Sequence, residues 1–246
     1  MLKIQNLSKS FNNKIVLDNI SLEIEKGEIA LFLGQSGVGK STLLRVLNNL
    51  ESADSGKITL EYDNKYIDLK NTKANNIAGN IVGMIFQQFN LFENMSVEKN
   101  ISFVLEKSAK KNHKEIPKIV HHLLSQYGLS DKAKLPVSKL SGGQKQRLAI
   151  ARTLSLDPQV ICFDEPTSAL DPKLTNFIAS NIEELKEQNY IIAIATHDVV
   201  LIERLSCTIY LMQNGKVIEK AKSWEYLAHK DKYPLIEKFV TGRSDT

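Results

Sequence analysis

Gly34-Gln35-Ser36-Gly37-Val38-Gly39-Lys40-Ser41-Thr42 stands between an apolar run at 29–33 and a helical pattern over 40–50. The nine residues fit G-x-x-x-x-G-K-[S/T], in the strand-before, helix-after setting that this pattern demands. Glycines let successive backbone N–H groups converge on phosphate oxygens. The helix start adds partial positive charge at the same point. Lys40 would neutralise charge on the β- and γ-phosphates, and the Ser41 hydroxyl would ligate Mg²⁺. A chance match somewhere in such a chain is on the order of one in a hundred. The stretch therefore reads as a nucleoside triphosphate site, and it sets the fold class: an α/β protein with a P-loop.

Outward from it, strands and helices alternate. Extended runs are expected at 20–24, 28–33, 57–62, 81–86, 160–163 and 190–195. Helices are expected at 40–50, 97–105, 115–127, 144–156, 174–188 and 199–205. Alternation of this kind indicates a mostly parallel sheet, and the helix-rich middle reads as an inserted subdomain. Two apolar runs, 208–212 and 216–220, flank Gln213-Asn214-Gly215. Asn-Gly at that spacing predicts a hairpin, since both turn positions need positive φ.

A second element carries acid. Val160-Ile161-Cys162-Phe163 runs into Asp164-Glu165, which delivers carboxylates to the strand's carboxyl end, where α/β sheets bind ligands. Asp164 suits the Mg²⁺ surroundings. Side-chain alternation sends Glu165 elsewhere, to polarise an attacking water. By itself an Asp-Glu pair is as often an ordinary strand end; the phosphate loop gives it weight.

Leu140-Ser141-Gly142-Gly143-Gln144-Lys145-Gln146-Arg147 resembles the signature sequence of ATP-binding-cassette ATPases. Its serine and glycines precede a helical run, so hydroxyl and N–H groups there form a second anion cradle. The rest of the family's elements occur in order. Phe86-Gln87-Gln88-Phe89 resembles the Q-loop, Ser168-Ala169-Leu170-Asp171 the D-loop, and Thr196-His197-Asp198 the H-loop. The resemblance covers residues 2 to about 242. It implies a P-loop core at about 1–88 and 157–246, with an antiparallel N-terminal part and a helical subdomain at about 89–156.

It also implies roles. ATP is held by Phe11, which stacks on adenine through its ring face, by Val16, and by the loop from Gly34 through Gln35, Ser36, Gly37, Val38, Gly39, Lys40 and Ser41 to Thr42. Glu165, His197 and Gln87 are catalytic, and Ser41, Gln87 and Asp164 surround Mg²⁺. Ser141, Gly142, Gly143, Gln144 and Asp171 serve the ATP of a second subunit, because in this family one subunit's signature closes over the γ-phosphate held by the other. The implied partners are a second cassette subunit, integral-membrane permease subunits and, through them, a solute receptor. The implied place is the cytoplasmic face of the cell membrane.

The stretches 87–92 and 164–172 look most like those of bacterial polar amino-acid importers of the glutamine, histidine and arginine type, with similar Q-loops in methionine and phosphonate systems. An ending near Thr246, without an appended regulatory domain, fits the short amino-acid type. Three departures stand out: Glu93-Asn94 where relatives often have Pro-His, Lys145 where they often have Gln, and Asp198 in place of a common Glu. An ATPase of a non-import membrane complex, of lipoprotein-release or cell-division type, would use the same sites and stays open as the alternative.

Composition agrees with this reading. Of 246 residues 42% are hydrophobic, enough for a large core, and the formal charge of +4 falls short of the basic stripe nucleic-acid binding calls for. No apolar run approaches the length of a membrane span, and residues 1–11 carry no secretory signal. Cys162 and Cys207 lie in apolar surroundings and read as small core residues. Lys107, Lys110, Lys111 and Lys114 read as a solvated linker, His121 and His122 as unable to share a metal easily, and Trp224 as packing for the C-terminal segment.

Overall fold

The computed structural model describes residues 1–63, 65–69, 81–108, 112–167 and 172–242. A six-stranded sheet forms its centre. It contains β3 (Ile29–Leu33), β6 (Val82–Ile85), β7 (Val160–Asp164), β8 (Ile191–Thr196), β9 (Thr208–Gln213) and β10 (Lys216–Lys222), in the order β10-β9-β3-β8-β7-β6. All neighbours are parallel except β9 and β10. A second, antiparallel sheet is built from β1 (Leu2–Phe11), β2 (Lys14–Ile24), β4 (Ser55–Tyr62) and β5 (Lys65–Asp68), in the order β2-β1-β4-β5. This is the fold class expected from the sequence.

β3, β7 and β8 are buried at every position, the mark of parallel strands covered on both faces. Alternation divides their side chains between two cores. Ile29, Leu31, Leu33, Ile161, Phe163, Ile192 and Ile194 face the helices α2 (Val97–Lys107), α3 (Ile116–Gln126), α4 (Gly142–Leu154) and α5 (Pro172–Glu187). Ala30, Phe32, Cys162, Ala193 and Ala195 face the other way, onto α1 (Lys40–Leu47) and the antiparallel sheet. Burying each large side chain contributes about 1.5–3 kcal/mol, so neither face can slip register cheaply.

The Asn-Gly turn is as expected: Asn214 and Gly215 have φ of 49° and 77° and join Gln213 to Lys216 across the β9–β10 hairpin. Both cysteines are free and buried, and burial pushes each thiol up to about 12. The first helix ends at Leu47 rather than residue 50, because Asn49 enters the left-handed region with φ of 60°. The signature helix starts two residues earlier than the pattern suggested. Ser141 accepts from the Gln144 amide while the Gln144 side chain accepts from the Ser141 N–H, a capping box.

Trp224 corrects the sequence reading. It is 63% exposed. In α6 (Ser223–Ala228) the core position is Tyr226, fully buried, and a residue two places away on a helix points to the far side. Lys110 and Lys111 lie outside the described residues; Lys107 sits over the Phe103 ring. Among the described residues no helix is long and apolar enough to cross a membrane.

At the amino end of β3, away from the phosphate loop, Glu28 closes a polar clamp. Its carboxylate accepts from Thr208 at 2.5 Å and from Lys222 at 2.7 Å, and Lys222 also donates to Thr208. Burial pushes its carboxyl pKa up, but the hydrogen bonds from Lys222, Thr208 and the Glu25 amide outweigh it and leave it below the usual range. A depressed folded-state pKa adds stability above the unfolded value of about 4.3 and loses it as pH falls through the folded value. Glu28→Gln should therefore lower unfolding free energy at pH 7 by about 1–3 kcal/mol. Chemical denaturation across pH should show the gap to the parent shrinking as pH drops below about 4.3.

Candidate functional site

The carboxyl ends of β3, β8 and β7 are adjacent in the sheet. Leu33 is in register with Thr196, and Asp164 with Ala195. The residues that follow, Gly34, His197 and Glu165, are thus delivered to one edge. β6 adds Gln87: Ile85 pairs with Phe163, so Gln87 stands two residues past the sheet in an exposed turn, level with Glu165.

The loop from Gly34 to Gly39 folds back over this edge and enters α1 at Lys40. Gly39 has φ of 108°, and a Cβ there would stand 2.4 Å from the Val16 carbonyl oxygen. No side chain fits, and the contact explains how β2 brings Val16 to the loop. Phe11, at the end of β1, is 41% exposed, with the Lys9 ammonium 4.8 Å from its ring centroid.

Lys40 is 4% exposed. Its ammonium donates to the carbonyls of Gly34 at 2.7 Å and Gln35 at 2.9 Å and lies 3.8 Å from Glu165 Oε1. Burial pulls its pKa down; the charges of Glu165 and Asp164 oppose but do not cancel the effect. Beside it the Ser41 hydroxyl donates to Asp164 Oδ1 at 2.6 Å.

Glu165 departs from strand geometry. Its φ is 49°, left-handed for a residue with a side chain, a strain that the surroundings must hold. Its amide donates to Ala195 O at 2.8 Å. The carboxylate then lies among Lys40, the Thr196 hydroxyl at 3.4 Å and His197 Nδ1 at 2.9 Å. Strand alternation led us to expect Asp164 and Glu165 to serve separate places. The turn brings both onto the start of α1, on neighbouring residues of it.

Ser141, Gly142, Gly143 and Gln144 form the start of α4, which packs on α2, α3 and β6. The amides of Gly142 and Gly143 are the orphan donors that every helix start leaves, and Ser141 and Gly142 are exposed. Asp171 and the rest of the expected D-loop lie outside the described residues.

The sequence reading missed the residues that tie the Q-loop to α4. Phe89 and Asn90 are both left-handed, with φ of 60° and 46°. Their carbonyls accept from Arg152 at 3.1 and 2.7 Å, and the same guanidinium lies over Phe92. Lys145 pairs with Glu93 at 2.9 Å. This pair joins the start of α4 to the stretch that follows the Q-loop. The spacing of Arg152 on an otherwise apolar helix face was the available signal.

A phosphate loop at the carboxyl edge of a mostly parallel sheet, opposed by an acidic strand end, defines a P-loop nucleoside triphosphatase. The family model described as ABC transporter matches residues 17–168, and the chain belongs to that family; it is an ATP-hydrolysing cassette. It is 37% identical over 229 residues to the glutamine transport ATP-binding protein GlnQ of Bacillus subtilis (strain 168), covering 93% of each chain. It is 38% identical over 238 residues to the methionine import ATP-binding protein MetN of Streptococcus agalactiae, covering 93% of this chain and 66% of that protein. Among solved structures it resembles cbiO1 from Clostridium perfringens, part of the ABC transporter complex cbiONQ, at a TM-score of 0.80 and 33% identity, covering 96% and 94% of the two chains. It also resembles the dimeric post-hydrolysis cassette MJ0796 bound to ADP and Pi, at 0.77 and 29%, covering 91% and 99%.

Proposed function

We propose that this chain is the ATP-hydrolysing subunit of an importer that takes up a small polar solute, an amino acid by class. The observation that carries the reading is the position of Glu165, held between Lys40 at the end of the phosphate loop and His197. The names of its relatives, transport ATP-binding proteins for glutamine, arginine and methionine, support import and the solute class.

ATP lies with its adenine against Phe11 and Val16 and its phosphates in the loop from Gly34 to Thr42. As the phosphates enter, the Lys40 ammonium exchanges the Gly34 and Gln35 carbonyls for phosphate oxygens. The Ser41–Asp164 pair offers oxygen ligands of the kind Mg²⁺ takes, and Gln87 would join them; when bound, the ion would neutralise charge on the β- and γ-phosphates. Glu165 accepts a proton from water as the water oxygen attacks the γ-phosphorus. The bond to the bridging oxygen breaks, leaving ADP and phosphate. His197 holds the γ-phosphate, and Gln87 orients the water.

The signature residues Ser141, Gly142, Gly143 and Gln144, with Asp171, act on the nucleotide of a second subunit, which makes the working unit a head-to-tail pair. The dimeric form of the MJ0796 cassette supports pairing. Division into a core at about 1–88 and 157–246 and a helical subdomain at about 89–156 follows the distribution of strands and helices. Between these parts lies a hollow of about 310 Å³, lined by Leu50, Phe86, Phe92, Val104 and Arg152 among others. Its apolar floor suits a cytoplasmic helix of a permease, through which a solute receptor acts on this chain at the membrane's inner face.

Glu165→Gln should cut steady-state ATP turnover by about 10² to 10⁴ while sparing ATP affinity, the usual worth of a general base. Near-parent turnover would remove Glu165 from that role. Affinity purification of the chain from its own membranes tests import: a multi-spanning permease with a solute receptor is expected. Recovery of a division-site or lipoprotein-release membrane partner instead would overturn it and leave the ATPase chemistry standing.

A further inference from the structure

Gln146 is used by none of the chemistry above, yet it is fully buried on α4, five residues after the Ser141 cap. Its Nε2 donates to the Pro166 carbonyl at 3.5 Å, the outer limit of a hydrogen bond. Among the described residues its Oε1 has no hydrogen-bond partner, and neither has the buried hydroxyl of Thr167, the residue after Pro166. The next helix residue, Arg147, lays its guanidinium over the ring of Phe177 on α5, 5.6 Å from the centroid. The front of the signature helix is thus seated on the chain that leaves Glu165 and on the helix that follows.

Two buried polar atoms without partners are uncommon, and apolar groups of the same shape would be cheaper at both places. The two are complementary: Oε1 only accepts, and a hydroxyl can donate. They also flank one loose hydrogen bond, on opposite sides of one joint. We propose that Gln146 is a positioning residue, a latch between α4 and the Glu165-Pro166-Thr167 segment. In the nucleotide-bound state the joint tightens and the Thr167 hydroxyl donates to Gln146 Oε1.

The inference rests on the reading of Glu165 as the residue that activates water. A helix moves as a rigid rod, and Ser141 lies only about 7–8 Å along it from Gln146 at 1.5 Å per residue. A shift of the segment that carries Glu165 in one chain therefore reaches the Ser141 end, which faces the nucleotide of the other. The latch links a chain's own site to its partner's.

The test is steady-state ATPase kinetics and thermal unfolding of the full chain with ATP and Mg²⁺, using Gln146→Met, Thr167→Val and the double variant. Methionine keeps length and helix preference while removing both polar atoms. Gln146→Met should lower kcat about fivefold to tenfold, the worth of one hydrogen bond, with KM for ATP unchanged and Tm equal to or above the parent's. Thr167→Val should do the same, and the double variant should be no slower than the slower single one. A parent-like kcat in Gln146→Met overturns the latch, as does a fall in kcat accompanied by a fall in Tm, or losses that multiply in the double variant. Glu165→Gln, run alongside, separates the two readings: if it too turns over at the parent rate, the assignment of Glu165 has failed; if it is slow while Gln146→Met is not, only the latch has.

Discussion

The buried ammonium of Lys40 is the charge around which the site is organised. An unpaired ammonium in that position would be expensive, and the chain supplies two backbone carbonyls and the Glu165 carboxylate to hold it. Those partners are available only because β3, which leads into Gly34, and β7, which leads into Glu165, end at one edge of the sheet on either side of β8. The strands in turn keep register because every one of their side chains is buried, half against the helices and half against α1 and the antiparallel sheet. Under the proposed function, phosphate oxygens take the place of those carbonyls while Lys40 stays in its pocket, so the ligand replaces contacts that already exist.

Around that charge the structure places strain and ties. Glu165 is held left-handed by its amide bond to Ala195 and by His197 and Thr196 at its carboxylate. Phe89 and Asn90, also left-handed, are held by Arg152 from α4. Both strained segments are therefore fastened to elements that carry other parts of the site, α4 above all. The Glu93–Lys145 pair adds a further tie at the surface, and being partly exposed it is worth less than about 1 kcal/mol.

Much of this was legible in the sequence. The phosphate loop announced its own strand and helix, the apolar run before Asp164 announced a buried strand, and Asn214-Gly215 announced its turn, because in each case local backbone chemistry admits few alternatives. The N-terminal strand β1 was missed as an element, since residues 2–11 mix polar and apolar positions and carry register shifts against β2 and β4. Trp224 was misplaced because a lone aromatic has no periodicity to say which side of a short helix it takes. The left-handed turn at Glu165 was not legible, since nothing in Asp-Glu-Pro requires it; the Ala195 carbonyl and the neighbouring side chains do. Arg152 and Gln146 escaped for the same reason, their partners lying 62 and 20 residues away in sequence.

The central claim is that one chain holds only half of each working site, the phosphate loop with Glu165, and that the signature at Ser141 completes the site of another. Analytical ultracentrifugation of Glu165→Gln with saturating ATP and Mg²⁺ tests it most directly, since slow hydrolysis preserves the bound state. The account predicts a species of twice the chain mass that returns to monomer with ADP and fails to form when Ser141 is replaced by Arg. A monomer that binds ATP fully and never pairs, or a dimer indifferent to Ser141→Arg, would contradict it.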